Sequence, residues 1–122
     1  MSRRMLILDD EPFFRETLAD VFSERGFWVA MASSLAAARQ LLHRTSFDIV
    51  LLDNKLPDGG GLMLVPELLR SNDAVKILLL TAFPSYENAV QALKSGIHDY
   101  LSKPVEVEEV ILTVERYCVR QR

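Results

Sequence analysis

The amino-acid sequence predicts an α/β fold in which five parallel β-strands alternate with five α-helices, a doubly wound (βα)5 arrangement. Five short apolar segments begin 22, 22, 27 and 23 residues apart, at Met5, Phe27, Ile49, Lys76 and Asp99. Each interval has room for one strand and one helix of roughly 10 to 14 residues, which suits βα units rather than an antiparallel meander. The segments that start at Ile49 and Lys76 are almost continuously apolar, which is typical of strands buried on both faces.

The predicted strands are the apolar segments themselves. They cover Met5 to Leu8, Phe27 to Ala32, Ile49 to Leu52, Lys76 to Leu80 and the weaker Asp99 to Ser102. In a doubly wound parallel sheet, ligands bind just outside the carboxyl ends of the strands. The residues that follow each strand are therefore the first place to look for function.

Helical periodicity occupies the intervals between the strands. Apolar residues recur three and four positions apart in five stretches: Phe14, Leu18, Val21 and Phe22; Leu35, Ala38, Leu41 and Leu42; Leu62, Val65 and Leu69 after Gly61; Ala89, Val90 and Leu93; and Val107, Val110, Ile111, Val114 and Cys118. Pro12 in a first turn and Ser85 as an N-cap mark two helix starts. Gly26 and Gly96 mark two helix ends.

The composition predicts a single domain spanning residues 1–122. The chain carries 14 Lys+Arg against 17 Asp+Glu, a net charge of -3, with 49% hydrophobic residues. This mild acidity argues against direct nucleic-acid binding by the domain, because binding to a duplex depends on Lys and Arg neutralising phosphates. No apolar run approaches the ~20 residues of a membrane span, so we expect no membrane partner.

The cysteine and histidine content also limits the function classes. Cys118 is the single cysteine and has no partner for an intramolecular disulfide, and His43 and His98 lie 55 residues apart, which is not structural zinc spacing. Met1 to Leu8 is too brief for a signal peptide. We therefore expect a cytoplasmic location.

Polar residues stand where four of the predicted strands end. Asp9-Asp10-Glu11 follow the first strand, Asp53 the third, Thr81-Ala82 the fourth and Lys103-Pro104 the fifth. Because parallel strands end at the same edge of a sheet, these groups should converge on one site. Like-charged carboxylates about 4 Å apart repel by on the order of 4 kcal/mol, and a hard divalent cation, Mg²⁺ or Mn²⁺, removes that repulsion.

Such a site suits phosphoryl transfer. A cation on one side and Lys103 on the other would neutralise charge on a transferring phosphoryl group. Asp53 stands alone at the end of a central strand. It is therefore the best candidate for a carboxylate nucleophile that forms an aspartyl phosphate.

Taken in order along the chain, these residues resemble the receiver domain of bacterial two-component response regulators. The resemblance lies in Asp9-Asp10-Glu11, Asp53 with Pro57 and Gly61, Thr81-Ala82, and Tyr100 with Lys103-Pro104, and it covers essentially the whole chain. It implies a flavodoxin-like sheet with strand order 2-1-3-4-5. It also implies a cis Lys103-Pro104 bond.

The resemblance implies a role for each acidic residue. Asp53 would accept a phosphoryl group from the phosphohistidine of a sensor histidine kinase or phosphotransfer protein. Asp10, Asp53 and the backbone carbonyl of Lys55 would ligate Mg²⁺, and Asp9 would orient a metal-bound water. The chain would assist its own phosphorylation and dephosphorylation without being a multiple-turnover enzyme.

The resemblance also implies a switch. Lys103 would contact the phosphoryl oxygens, Thr81 would move toward them, and Tyr100 would turn into the space that Thr81 vacates. The fourth and fifth βα units would then present a changed surface to an output domain or a downstream protein. A phosphorylation-dependent homodimer is a further alternative. The stretch from Thr81 to Pro104 is similar to receivers attached to AAA+ transcription activators.

Alternative interpretations stay open at this point. An aspartyl-nucleophile phosphohydrolase usually carries a second acid two residues after the nucleophile, where this chain has Lys55, and a phosphorylation-independent interaction module would keep the fold without the switch. Glu11 is interpreted as a first-turn helix residue rather than a ligand, and Gly59-Gly60-Gly61 as an unusually flexible loop. Structural or surface positions are expected for Phe13, Phe14, Trp28, His43, His98 and Cys118.

Overall fold

The central sheet of the protein has five parallel strands. In a computed structural model that describes residues 3–82 and 85–118, they are β1 (Arg4–Leu8), β2 (Trp28–Ala32), β3 (Ile49–Asp53), β4 (Lys76–Thr81) and β5 (Asp99–Ser102). Their order across the sheet is β2-β1-β3-β4-β5, which confirms the predicted fold class. In this register Asp53 lies beside Leu80, and Thr81 lies beside Ser102.

Five helices cover the two faces of the sheet. They are α1 (Pro12–Glu24), α2 (Leu35–Leu42), α3 (Val65–Ser71), α4 (Tyr86–Ser95) and α5 (Val107–Cys118). Helices α1 and α5 pack on one face, where Phe22 and Val114 belong to the same core cluster as Ile7 of the sheet, and the other three pack on the opposite face. Strand β3 is buried along its whole length, as its continuously apolar sequence predicts.

The helix boundaries follow their sequence signals. Pro12 occupies the first turn of α1, and the hydroxyl of Ser85 caps α4 by accepting the Asn88 N–H at 3.0 Å. Gly26 and Gly96 follow helix ends with φ of 96° and 109°, a left-handed conformation that glycine adopts without steric cost. These predictions are confirmed.

The segment after β3 differs from the prediction. Lys55–Leu56 and Gly59–Gly60 form a short antiparallel hairpin with two residues in each strand. A 3₁₀ helix then covers Gly61–Leu64, and α3 starts only at Val65. A helix that started at Leu62 would place Pro66 in its interior, where proline has no N–H to donate. Pro66 is tolerated in a first turn, so α3 begins just before it.

Three further points complete the fold. The Lys103-Pro104 peptide bond is cis, as expected. In the described ranges, none of the helices has the length and apolar character needed to cross a membrane. The predicted domain of residues 1–122 includes residues 1, 2, 83, 84 and 119–122, which lie outside the described residues.

Candidate functional site

Three carboxylates meet at the carboxyl edge of the sheet. Asp9 and Asp10 follow β1, Asp53 ends β3, and one oxygen of each side chain lies within 4.8 Å of the others. Asp9 and Asp53 are only 3% and 7% exposed, whereas Asp10 is open to solvent. The predicted convergence of these acids is therefore present in the structure.

Lys103 links this acidic cluster to β5. Its Nζ lies 2.7 Å from Asp9 Oδ2 and 3.3 Å from Asp53 Oδ2. Its backbone N–H donates to the Thr81 carbonyl at 2.7 Å, so the segment after β5 is tied to the end of β4. The ammonium thus stands between two acids that come from two other strands.

Asp53 lies in an environment that opposes its negative charge. Burial is the largest effect and raises the pKa of Asp53, and the nearby Asp9 carboxylate raises it further. The Lys55 N–H, which donates to Asp53 Oδ1 at 3.2 Å, and the Lys103 ammonium lower the pKa without cancelling the rise. Additional positive charge at this site would therefore favour the ionised form of Asp53.

Asp9 is held by the start of α1. Its Oδ1 accepts the Glu11 N–H at 2.9 Å, and its carbonyl accepts a hydrogen bond from Arg15 Nη1 at 2.9 Å. Glu11 is the N-cap of α1, because its side chain accepts the Phe14 N–H at 3.1 Å. Glu11 thus serves the helix, as expected, although one position before the predicted first turn.

The two predicted switch residues lie on neighbouring strands. Thr81 is the last residue of β4 and is 2% exposed, so it ends the strand rather than following it. Tyr100 lies in β5 and packs against the core on the face covered by α2 and α3. Its hydroxyl is buried and has no hydrogen-bond partner among the described residues. Their movement stays a prediction.

The acids open onto a cleft of about 490 Å³. It is lined by Asp10, Asp53, Lys55, Leu56, Pro57, Ala82 and Lys103. Its anionic groups are the carboxylates of Asp10 and Asp53, whose oxygens are the kind of ligand that hard cations such as Mg²⁺ and Ca²⁺ prefer. The cluster of Asp9, Asp10 and Asp53 can therefore hold a divalent metal ion.

Two contacts in and beside the site were not predicted from the sequence: Phe14 with Lys103, and Asp58 with the start of α2. Phe14 was expected to have only a structural position. It does pack partly buried against the core, but the centre of its ring also lies 4.9 Å from Lys103 Nζ. Asp58 caps α2 from the neighbouring loop, accepting the Leu35 and Ala36 N–H groups at 2.8 and 3.0 Å. These hydrogen bonds are the main reason that the pKa of Asp58 is lowered. Neither contact has a local sequence signal, because each joins residues distant in sequence.

Comparison with known proteins identifies the family. The family model for the response regulator receiver domain matches residues 5–115, so this chain belongs to the receiver domains of two-component response regulators. The response regulator protein PilR of Pseudomonas aeruginosa is 39% identical over 120 residues, a match that covers 95% of this chain and 27% of PilR. The chain spans about half or less of the length of such curated relatives.

Solved structures agree with this assignment. A CheY-like receiver domain protein from Methanospirillum hungatei superimposes with a TM-score of 0.91 at 25% identity, covering 99% of this chain and 97% of that one. A response regulator from Burkholderia pseudomallei, crystallised with a phosphorylated aspartic acid, a calcium ion and citrate, gives a TM-score of 0.83 at 30% identity, covering 98% of this chain and 75% of that one.

Proposed function

We propose that Asp53 accepts a phosphoryl group from the phosphohistidine of a sensor histidine kinase or phosphotransfer protein. The observation that carries this proposal is the placement of Asp53: it is buried at the end of a central strand, 3.3 Å from Lys103 and within 4.8 Å of Asp9 and Asp10. A carboxylate in such surroundings is held in one place with opposite charge beside it. Both conditions favour attack on an electrophilic phosphorus.

The reaction needs only the groups that surround Asp53. A carboxylate oxygen of Asp53 would attack the phosphorus, the phosphorus–nitrogen bond would break, and the imidazole of the donor would leave with the bonding electrons. Lys103 would turn from Asp53 Oδ2 to the incoming phosphoryl oxygens, because its three N–H groups can donate to either. The Lys55 N–H would keep the Asp53 carboxylate oriented during the step.

We further propose that the acidic cluster binds Mg²⁺, or Mn²⁺ in its place. When bound, the ion would supply positive charge against the phosphoryl oxygens. Asp10, Asp53 and the Lys55 carbonyl would hold it directly, and Asp9 would act through a water molecule. The raised pKa of Asp53 and the cluster of oxygen donors support this assignment.

The proposed output is a change at the surface formed by α4, β5 and α5. Thr81 would move toward the phosphoryl group and Tyr100 would follow it. The proposed domain spans residues 1–122. Its partner would be either an output domain in chain beyond those residues or a separate downstream protein. Homodimerisation on phosphorylation is an alternative. We propose a cytoplasmic phosphoacceptor that assists its own phosphorylation and dephosphorylation, rather than a multiple-turnover enzyme.

Phosphorylation with a small-molecule donor tests the proposal. With Mg²⁺ and acetyl phosphate, the protein should gain one acid-stable, base-labile phosphoryl group, and chelation of the metal should prevent the gain. Asp53→Asn should abolish labelling, whereas Asp20→Asn, which alters an exposed acid of α1, should leave it unchanged. Equal labelling of Asp53→Asn would contradict the assignment. Repeated turnover on a phosphoester would indicate a phosphohydrolase instead.

A further inference from the structure

Lys103 has a third partner besides the two acids. Its Nζ lies 4.9 Å from the centre of the Phe14 ring, a distance at which the negative face of an aromatic ring attracts a cation. The Lys103 side chain is only 19% exposed. Partial removal from water strengthens such an attraction, because the ammonium has fewer water molecules to interact with instead.

Phe14 is held firmly enough to position a neighbour. Its N–H donates to the Glu11 cap at 3.1 Å, which fixes the first turn of α1. Its side chain is partly buried and packs against the core cluster that includes Leu18 and Phe22 of the same helix. The ring is therefore part of the framework, whereas the lysine has a long and flexible side chain.

The three partners of Lys103 differ in what happens to them during the proposed reaction. Asp9 and Asp53 belong to the proposed metal site, and Asp53 would become an acyl phosphate, so the charge or the ligands of both would change. The Phe14 ring carries no charge and ligates no metal. It is thus the contact that can stay the same before and after phosphorylation.

We propose that Phe14 is a positioning residue for phosphoryl transfer, holding the Lys103 ammonium over the Asp53 carboxylate through a cation–π contact. The inference rests on the proposed function of Asp53. Loss of the ring should slow phosphorylation, because Lys103 would then spend part of its time away from the incoming phosphoryl oxygens. The strength of cation–π contacts corresponds to an effect of about threefold to tenfold.

The first experiment compares phosphorylation rates with acetyl phosphate and Mg²⁺. Phe14→Leu, which keeps an apolar side chain but removes the ring, should be about threefold to tenfold slower than wild type. Phe14→Tyr, which keeps an aromatic ring, should be phosphorylated at about the wild-type rate. Phe13→Leu is the matched control, since Phe13 is the adjacent phenylalanine and is 79% exposed, and it should match wild type.

A fluorinated series separates the cation–π contact from simple packing. Fluorination of phenylalanine at position 14 changes the ring's shape little but progressively weakens the negative charge on its face. The rate should fall with each added fluorine if the ring attracts the ammonium. A rate that is the same across the series would overturn the inference even if Phe14→Leu were slow.

An NMR measurement reads the contact without any reaction. The protein has four lysines, and the Cε–Hε signal of Lys103 should lie upfield of the others because of the Phe14 ring current, with and without Mg²⁺. Phe14→Leu should remove this displacement. If the Lys103 signal is the same in wild type and Phe14→Leu, this inference alone is overturned. The same holds if the wild type is phosphorylated and Phe14→Leu is phosphorylated at an equal rate. A wild type that takes up no phosphoryl group overturns the proposed function as well.

Discussion

At the scale of single residues, the charge balance of the site depends on Lys103. Burial is the largest single effect and lowers the pKa of Lys103, but the hydrogen bonds and charges of Asp9 and Asp53 outweigh it, so the pKa lies above its ordinary value. The ammonium form is thus maintained at neutral pH. A buried ion pair of this kind is weak evidence for stability, because desolvation offsets much of the attraction. Its value here is to place positive charge beside Asp53.

The buried hydroxyl of Tyr100 lowers the stability of the fold in this conformation. Its hydroxyl is buried without a hydrogen-bond partner among the described residues. Tyr100→Phe removes only that hydroxyl and should raise the free energy of unfolding by about 1 kcal/mol, since an unsatisfied buried group costs about 1 to 3 kcal/mol. Urea denaturation measures the change.

Tyr117→Phe is the matched control for Tyr100→Phe. The Tyr117 hydroxyl donates to the His98 carbonyl at 2.7 Å and also lies 3.1 Å from Asp99 Oδ2. Its removal should lower the free energy of unfolding by about 1 kcal/mol. If both variants were destabilised equally, the Tyr100 hydroxyl would have to be hydrogen-bonded.

At the scale of elements, the hairpin and 3₁₀ turn after β3 keep the backbone close to Asp53. Gly61 donates its N–H to the Asn54 carbonyl at 3.0 Å. A Cβ at Gly61 would lie 2.1 Å from the Asp53 carbonyl oxygen and 2.9 Å from Leu52 Cγ. Only glycine fits there, because the nearest atom belongs to the backbone and cannot rotate away.

Gly61→Ala should therefore displace the end of β3. We expect the free energy of unfolding to fall by about 1 to 3 kcal/mol, the usual cost of overpacking, and phosphorylation to slow as Asp53 moves. Gly60→Ala is the milder comparison, since its φ of -81° suits alanine and its Cβ would lie 3.3 Å from the Asn54 carbonyl oxygen, a close contact that a shift of a few tenths of an ångström relieves. Chemical denaturation of both variants measures the difference. Equal stabilities would show that the loop can move away from Asp53 without cost.

His98 joins three elements at the opposite end of the sheet. The Ile77 N–H of β4 donates to His98 Nδ1 at 3.0 Å, and the His98 N–H donates to the Ile77 carbonyl at 2.7 Å. Tyr117 of α5 donates to the His98 carbonyl. Nδ1 can accept a hydrogen bond only while the imidazole is neutral at that atom. Burial first, and then the charge of Lys76, lower the pKa of His98.

This arrangement predicts a pH dependence. The unfolded chain binds a proton at His98 near pH 6.5, whereas the folded chain does so only at lower pH. The free energy of unfolding should therefore fall as the pH drops below about 6.5, until the folded form also titrates. Lys76 on β4 is the charged group that acts on His98, while the next residue, Asp99 of β5, is paired with Arg116 of α5. Urea denaturation over this pH range measures the effect.

His98→Asn separates this contribution from that of other titrating groups. The asparagine oxygen can accept the Ile77 N–H but does not titrate, so the dependence should become shallower. His43→Asn, at an exposed position that ends α2, should keep the wild-type dependence. Identical slopes for wild type and His98→Asn would contradict the role of His98.

At the scale of the whole molecule, periodicity was sufficient to predict five strands and five helices, apart from the start of α3. Strand β3 and helix α5 show why: each buries a regular pattern of apolar residues, and that pattern is written locally in the sequence. The convergence of Asp9, Asp53 and Lys103 then follows from the parallel topology, because all three stand at strand ends.

Other features depend on contacts that no local pattern encodes. The approach of Phe14 to Lys103 and the capping of α2 by Asp58 both join loops and helices that meet only in the folded chain. The two-residue hairpin after β3 is short and rich in glycine, so it shows no alternation of apolar residues. Sequence patterns therefore predicted the acidic cluster but neither of these long-range contacts.

Locating the phosphoryl group in the chain shows directly whether Asp53 is the phosphoacceptor. After phosphorylation with acetyl phosphate and Mg²⁺, borohydride reduces an aspartyl phosphate to homoserine, and mass spectrometry of peptides shows which residue has changed. We expect homoserine in place of Asp53 and unaltered aspartates at positions 9 and 10. Homoserine in place of Asp9 or Asp10, or a phosphorylated protein in which Asp53 remains unmodified, would contradict it.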